Sequence, residues 1–290
     1  EEPGSDDFRH FPGVYAEVDF ADFTGNGLVD IVFAEAHTPA LLNGRADAGE
    51  ITFFLNTGER DHSGLPIFVR AASIYVPVGK ISGLRAVDLD QDGVLDLVVN
   101  GHYIRNTHPA GWPFEAAEPV DINIGNRAAF LDLDGDGLLD AIFPQGEDGA
   151  HPLVWRPNLG GSTPAFGPEK PLPGIETEAG NLVAAAAAGP RRGILLQHDD
   201  FQHISFYELA AYERGRPHFE HRGRARSISA VLSCGDQAWP CICDWDGDGV
   251  LDLLIGDGYG RPRIVINQGS NQRPAFDEPR LITSQGKAIR

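Results

Sequence analysis

The chain has 290 residues, 42% of them hydrophobic, with 35 glycines and 21 prolines, which suits one large all-β domain or two average domains built from short strands. Its net charge of −19 argues against a nucleic-acid partner, because binding to phosphates requires positive charge. No apolar run reaches the roughly 18 residues of a membrane-spanning helix, so the sequence predicts no membrane span.

One acidic pattern recurs along the chain. A worn copy, DFTGNGLVD, begins at Asp22, and intact copies begin at Asp88 (DLDQDGVLD), Asp132 (DLDGDGLLD) and Asp244 (DWDGDGVLD). The starts are separated by 66, 44 and 112 residues, and 112 is twice 56, so a copy without its aspartates is expected in the last gap. GPRRGILLQ, from Gly189, fits that position because its glycine and apolar run match those of GDGLLDAIFPQ.

A second phrase follows the acidic pattern: Asn, then Gly, then Pro and Phe. It reads NTGERDHSGLPIF from Asn56, NLGGSTPAF from Asn158 and NQGSNQRPAF from Asn267. NTHPAGWPF from Asn106 is looser, and RGRPHF from Arg214 keeps only the end. Each unit therefore contains three or four short strands in roughly 45 to 65 residues, the size and pattern of a propeller blade. The sequence predicts an all-β propeller with five visible blades of four antiparallel strands, in preference to a solenoid.

These repeats resemble the FG-GAP or VCBS repeat family, whose members form calcium-binding β-propellers. The resemblance covers nearly the whole chain and implies one propeller domain with repeats at approximately 11–80, 81–125, 126–175, 176–228 and 229–290. Propellers of this family usually have seven blades, whereas five are visible here. Either the ring is smaller or it continues beyond this sequence. The last segment, NQRPAFDEPRLITSQGKAIR, reads like the approach to a further blade and slightly favours the second alternative.

Alternate aspartates on a tight turn present several carboxylates to one point, and oxygen-only ligands at this spacing favour Ca²⁺ over Zn²⁺. The pattern differs from an EF-hand because its position twelve is Val99, Phe143 or Ile255 rather than Glu. We expect calcium to stabilise a turn within each blade rather than to transmit a signal, and the copy at Asp22, with fewer acids, to bind weakly or not at all. The expected ligands are Asp88, Asp90, Asp92 and Asp96; Asp132, Asp134, Asp136 and Asp140; and Asp244, Asp246, Asp248 and Asp252.

Polar side chains stand just after the strand that follows each acidic copy. Because equivalent positions of successive blades lie on one face of a propeller, we expect these residues to share one rim, with His102 and His198 facing one another across a common cleft. Ordinary polar loop residues are the alternative interpretation. The set comprises His37, His102, Tyr103, Gln145, His198 and Tyr259, with Arg105, Arg261 and Arg263 close by in sequence. Gln145 and Gly146 of the intervening blade are small or neutral enough to leave room for a substrate.

This composition points to a chemical reaction. Histidine and tyrosine can exchange a proton with a carbon acid and a leaving oxygen, and arginine can neutralise a uronate carboxylate. Propeller-type polysaccharide lyases, including ulvan lyases and rhamnose–glucuronate lyases, resemble this chain in having such repeats and a site of His, Tyr and Arg. The resemblance implies β-elimination on a uronate-containing glycan. The candidate catalytic residues are His102, His198, Tyr103, Arg105, Tyr259 and Arg261.

Two other functions compete with the lyase hypothesis. One is a non-catalytic lectin or adhesion module whose rim residues bind sugar or protein, and the other is a structural interaction domain of a larger assembly. The expected partner is an acidic polysaccharide or another glycan, with protein partners as an alternative, and the expected location is secreted, periplasmic or at the cell surface. The sequence begins at Glu1 and contains no methionine, which is typical of a mature or trimmed product.

A cysteine cluster offers a second metal site. Cys234, Cys241 and Cys243 lie within ten residues, and with His218 or His221 they can supply two thiolates and an imidazole for tetrahedral zinc. A Cys234–Cys241 disulfide and buried thiols are the alternatives. No Gly-rich phosphate loop, Ser-nucleophile elbow or zinc-protease helix motif occurs in the sequence.

Overall fold

A computed structural model describes residues 16–35, 49–61, 64–145, 152–175, 182–188, 191–198, 203–226, 239–256, 261–284 and 287–288. All regular structure in these ranges is β-strand, arranged as five four-stranded antiparallel sheets and one two-stranded hairpin. The prediction of a five-bladed all-β propeller is confirmed. The same ranges contain no helix that is long and apolar enough to cross a membrane.

Each blade is a meander in which chain neighbours are also hydrogen-bonded neighbours in the sheet. The strands are, in blade 1, β1 (Ala16–Ala21), β2 (Asp30–Glu35), β3 (Gly49–Arg60) and β4 (Pro66–Val76); in blade 2, β5 (Leu84–Val87), β6 (Asp96–Val99), β7 (His102–Ile104) and β8 (Val120–Asp121); in blade 3, β9 (Ala129–Leu131), β10 (Asp140–Pro144), β11 (Leu153–Arg156) and β12 (Lys170–Pro171); in blade 4, β13 (Leu182–Ala188), β14 (Arg191–His198), β15 (His203–Glu213) and β16 (Arg216–Arg224); in blade 5, β17 (Trp239–Cys243), β18 (Asp252–Gly256), β19 (Arg263–Val265) and β20 (Arg280–Leu281); and, after the blades, β21 (Thr283–Ser284) and β22 (Lys287–Ala288).

The second strand of a blade is apolar on both faces. Leu97, Val98 and Val99 on β6 are all buried, as are Leu253 and Leu254 on β18. A strand that reads as a continuous apolar run needs cover on both sides. Here the cover comes from the two neighbouring blades, so the blade interfaces are the hydrophobic core of the molecule.

The residue after the first aspartate of each acidic loop fills a blade interface, and we term these four the plug residues. Phe23, Leu89, Leu133 and Trp245 are each at most 4% exposed. Phe23 packs between blades 1 and 2, and Leu89 between blades 2 and 3. Leu133 packs between blades 3 and 4, and Trp245 between blades 5 and 1. Blade 4 joins its first two strands through residues 189–190 alone, so it has no such loop and supplies no plug residue.

Contact between blades 5 and 1 closes the ring. Trp245 stacks on Phe68 with ring centroids 5.2 Å apart and meets Phe20 edge-on at 6.1 Å. The innermost strands β1 and β17 are also in contact. The hypothesis of a ring that continues into further blades is therefore wrong. The segment interpreted as an approach to another blade instead forms β20 of blade 5 and then β21, which lies against β4 of blade 1.

Two acidic side chains of β1 are buried between the innermost strands. Glu17 and Asp19 are 1% and 8% exposed, and Asp19 accepts a backbone N–H from β5 at 2.8 Å. Within the described residues, Oε2 of Glu17 has no hydrogen-bond partner. Burial raises the pKa of Glu17 to about 8, and the nearby charges of Arg85, Arg127 and Lys80 only partly oppose this.

We expect Glu17→Gln to flatten the pH dependence of stability. The carboxyl has a pKa of about 8 when folded against an ordinary value of 4.5, so it binds its proton more tightly in the folded state. The carboxyl's contribution to the free energy of unfolding is complete below its unfolded pKa and is lost as the pH rises toward its folded pKa. Between about pH 5.5 and about pH 7.5 the free energy of unfolding of the wild type should therefore fall by about 2.7 kcal/mol relative to that of the variant.

Urea unfolding across that range, in constant excess calcium, measures this difference. Glu115→Gln, at an exposed glutamate, is the matched control and should follow the wild-type curve. Parallel curves for wild type and Glu17→Gln would show that Glu17 does not titrate in this range.

Candidate functional site

Acidic loops join the first and second strands of blades 1, 2, 3 and 5. Because all strands of a blade are antiparallel and the blades are equivalent, the four loops lie on one face of the ring, which we term the loop face. The connections between second and third strands lie on the opposite face, which we term the hairpin face. The loops comprise residues 22–29, 88–95, 132–139 and 244–251, and we count the aspartate that begins each second strand as the last aspartate of its loop: Asp30, Asp96, Asp140 and Asp252.

Three of these loops bring carboxylates together. In each, one oxygen from each of three aspartates lies within 4.8 Å of the other two. The loop in blade 5 is shaped by hydrogen bonds from the amides of Gly247 and Gly249 to the Asp244 carboxylate, at 2.8 and 2.9 Å, and both glycines have positive φ. Such oxygen-only donor sets suit a hard cation such as Ca²⁺. The groups are Asp88, Asp90 and Asp96; Asp132, Asp134 and Asp136; and Asp244, Asp246 and Asp248.

The last aspartate of a loop is bound to backbone amides. Asp140 is fully buried; its Oδ1 accepts the N–H of Asn158 at 2.9 Å and its Oδ2 that of the plug residue Leu133, also at 2.9 Å. Asp30 and Asp252 accept the corresponding pairs of amides in blades 1 and 5. Burial raises the pKa of these three carboxyls to about 6. Asp140 and Asp252, predicted as ligands, thus lie outside the converging groups and hold the plug residues in place.

The asparagine that begins the Asn-Gly-Pro-Phe phrase hydrogen-bonds to the backbone of the acidic loop. Asn158 donates through Nδ2 to the carbonyl of Leu139 at 3.1 Å and accepts the N–H of Gly160 through Oδ1 at 2.9 Å. Asn56 and Asn267 make the same pair of bonds in blades 1 and 5. The sequence shows the Asn-x-Gly spacing, but it did not indicate that the asparagine bonds to the acidic loop.

Blade 2 departs from this arrangement. Tyr103 is buried, and its hydroxyl donates to Asp96 at 2.6 Å in place of a plug-residue amide. Arg105 forms ion pairs with Asp90 at 3.2 Å and Asp92 at 2.7 Å. The guanidinium therefore already neutralises part of the charge that a metal ion would meet in this loop.

Residues 22–99 match the family model described as an FG-GAP-like repeat. The match begins at the loop of blade 1 and ends with β6 of blade 2, and the same loop and asparagine contacts recur in blades 3 and 5. The chain is an FG-GAP-repeat β-propeller. No curated protein matches it.

The FG-GAP propeller separates the candidate catalytic residues. His102 begins β7 on the hairpin face, half-buried, with Nδ1 at 3.1 Å from a backbone carbonyl oxygen. His198 ends β14 at the corresponding hairpin of blade 4, paired with His203, and its side chain lies outside the described part. Tyr103 and Arg105 instead contact the acidic loop, because β7 runs from the hairpin face to the loop face. The expected rim therefore does not include Tyr103 or Arg105.

The remaining rim residues are only partly described. Arg261 is half-buried and precedes β19 on the hairpin face, and Gln145 is exposed and donates to Glu169 at 2.8 Å. His37, Gly146 and Tyr259 lie outside the described residues. The common cleft between His102 and His198 stays a prediction.

The proposed zinc ligands sit on different blades of the FG-GAP propeller. Cys241 and Cys243 are thiols on β17 of blade 5, whereas His218 and His221 are on β16 of blade 4. Among the described residues, none of these four belongs to a group of three or more converging ligand atoms. Burial raises the pKa of both thiols, which favours their protonated form. Cys234 lies outside the described residues, so the zinc site stays a prediction.

Proposed function

We propose that this FG-GAP propeller is a calcium-stabilised binding module that acts outside the cytoplasm and takes an acidic glycan as its ligand. The observation that carries the proposal is the convergence of three carboxylates in each of three acidic loops on one face. Calcium modules outside cells work at about 10⁻⁴–10⁻³ M free ion, a range that weak loop sites of this kind suit.

A binding role is favoured over catalysis by where the expected catalytic groups lie. Tyr103 and Arg105 are engaged by carboxylates of the acidic loop of blade 2. His102 and Arg261 stand on the hairpin face, where a cationic guanidinium and an imidazole can hold a uronate and its hydroxyl groups. We therefore place the glycan contact on the hairpin face.

β-Elimination is a second candidate, favoured by the positions of two histidines at equivalent hairpins of blades 2 and 4. In that reaction one imidazole would remove the proton α to the uronate carboxylate while the bond from the β carbon to the glycosidic oxygen breaks. The second imidazole would protonate the departing oxygen, and a carbon–carbon double bond would remain in the sugar.

Incubation of the calcium-loaded protein with a panel of acidic polysaccharides distinguishes the two candidates. We expect binding to immobilised polysaccharide with no ultraviolet absorbance from unsaturated uronate. Arg261→Ala should weaken binding about tenfold, because a hydrogen bond to a charged group contributes about 1.5 kcal/mol. His102→Ala should also weaken it, whereas His108→Ala, on the loop face, should leave it unchanged.

The outcomes are exclusive. Absence of binding to every polysaccharide would remove the glycan from the proposal. An absorbance increase that His102→Ala abolishes would establish the lyase instead.

A further inference from the structure

A cleft of about 340 Å³ lies between blades 4 and 5. Its apolar wall combines strands of both blades with the loop that follows β19. Arginines from β14 and from β16 and its end stand around it. The apolar residues used below are Leu195, Phe206, Ile242, Leu253 and Phe276, and the arginines are Arg191, Arg222, Arg224 and Arg226.

The cleft has a structural cause. The other four blade interfaces each contain a plug residue from the acidic loop of the preceding blade. In blade 4 only two residues, 189 and 190, separate the first strand from the second, so that loop is absent. Leu195 and Ile204 of blade 4 therefore meet Leu253 of blade 5 without a plug residue between them. The cleft thus lies at an interface to which, within the described residues, no acidic loop supplies a plug residue.

The arginines differ in how they are partnered. Arg222 pairs with Glu208 and with Glu220, and Arg191 lies 3.9 Å from Glu208. Arg224 and Arg226 are exposed and form no ion pair within the described residues. In a chain with a net charge of −19, two guanidiniums on one cleft without an ion pair among the described residues are a local reversal of charge.

The other polar groups of the cleft are already bonded. The buried carboxylate of Asp252 accepts the amides of Asn267 and Trp245. The side chain of Asn271 accepts the amide of Leu251 at 2.7 Å and donates to the carbonyl of Gly249 at 3.2 Å. The arginines are thus the groups that can recognise a ligand, and they recognise anions.

We propose that this cleft binds an amphipathic organic anion. Its carboxylate or sulfonate lies against Arg224 and Arg226, and its apolar ring or chain lies on Phe206 and Phe276. Clefts of about 300–1,000 Å³ with apolar walls and a few polar groups hold small organic ligands. A planar guanidinium binds such an acid group through two hydrogen bonds at once. The proposal rests on this cleft alone and does not depend on the proposed glycan site.

Fluorescence titration with 8-anilino-1-naphthalenesulfonate, an aromatic sulfonate, tests the proposal on the calcium-loaded protein. We expect one saturable site, and an affinity reduced at least about tenfold in Arg224→Gln/Arg226→Gln, because each charged hydrogen bond contributes about 1.5 kcal/mol. Arg216→Gln, at an exposed arginine at the other end of β16, is the matched control and should bind as the wild type does. N-phenyl-1-naphthylamine, which lacks the sulfonate, should bind more weakly.

Equal affinity of the wild type and the double variant would overturn the proposal, and so would equal affinity for the neutral amine. Several non-saturating sites that ignore the substitutions would do the same. If the double variant loses its melting transition, Arg226→Gln alone, placed after the end of β16, provides the comparison. Competition by inorganic phosphate alone, as strong as by the aromatic sulfonate, would reduce the site to one for simple anions and contradict the role of the apolar wall.

Discussion

Removal of calcium is expected to lower the free energy of unfolding by about 5 kcal/mol. An ion that binds only the folded state, at a hundred times its dissociation constant, contributes about 2.7 kcal/mol per site. The loops that begin at Asp132 and Asp244 each offer three converging carboxylates. Two such sites give the expected total, and unfolding in urea with excess calcium or excess chelator measures it.

The loop of blade 2 should contribute less than the sequence predicts. Its carboxylates of Asp90 and Asp92 are paired with Arg105, which competes with a metal ion for them. In the loop of blade 1, Thr24 and Asn26 replace two of the aspartates. Isothermal titration should therefore find two calcium sites in the wild type and three in Arg105→Ala. A chelator that leaves the melting temperature unchanged would contradict calcium binding altogether.

Trp245→Ala is expected to destabilise the protein by about 3–5 kcal/mol, the usual cost of removing a large buried aromatic side chain. Trp245 is 4% exposed and carries the contact between blades 5 and 1 through Phe20 and Phe68. The substitution removes this packing at the point where the ring closes.

Urea unfolding in excess calcium measures this loss, with two comparisons. Leu133→Ala, at a plug residue that does not close the ring, should cost about 2–5 kcal/mol. Tyr75→Ala, at a tyrosine that is 38% exposed, should cost much less than either. A loss below about 1 kcal/mol for Trp245→Ala, within the range of ordinary surface substitutions, would contradict its role in ring closure.

The blades could be predicted from the sequence because their markers are local. An Asp-Gly turn between apolar runs determines where one strand ends and the next begins, and even blade 4 kept its glycine and apolar run. Closure of the ring could not be predicted in this way. It depends on Trp245 packing against Phe20 and Phe68, which lie more than a hundred residues away in the chain.

The candidate site shows a similar limit. Asp136 and Asp140 are both aspartates of one pattern, but Asp136 is exposed among other carboxylates whereas Asp140 is buried against two amides. Spacing alone does not distinguish the exposed carboxylate from the buried one that accepts two amides. The same holds for Tyr103, whose position in the pattern suggested a rim but whose hydroxyl is bonded to Asp96.

The lack of an acidic loop in blade 4 has a consequence for how the ring opens. Local opening of a protein starts where the least apolar surface is buried. The interface between blades 5 and 1 holds Trp245 and is backed by β21, whereas the described part of the interface between blades 4 and 5 holds no plug residue. The ring should therefore open first between blades 4 and 5, while blades 1 and 5 stay in contact. A ligand that binds between blades 4 and 5 would then stabilise the closed form of the whole ring.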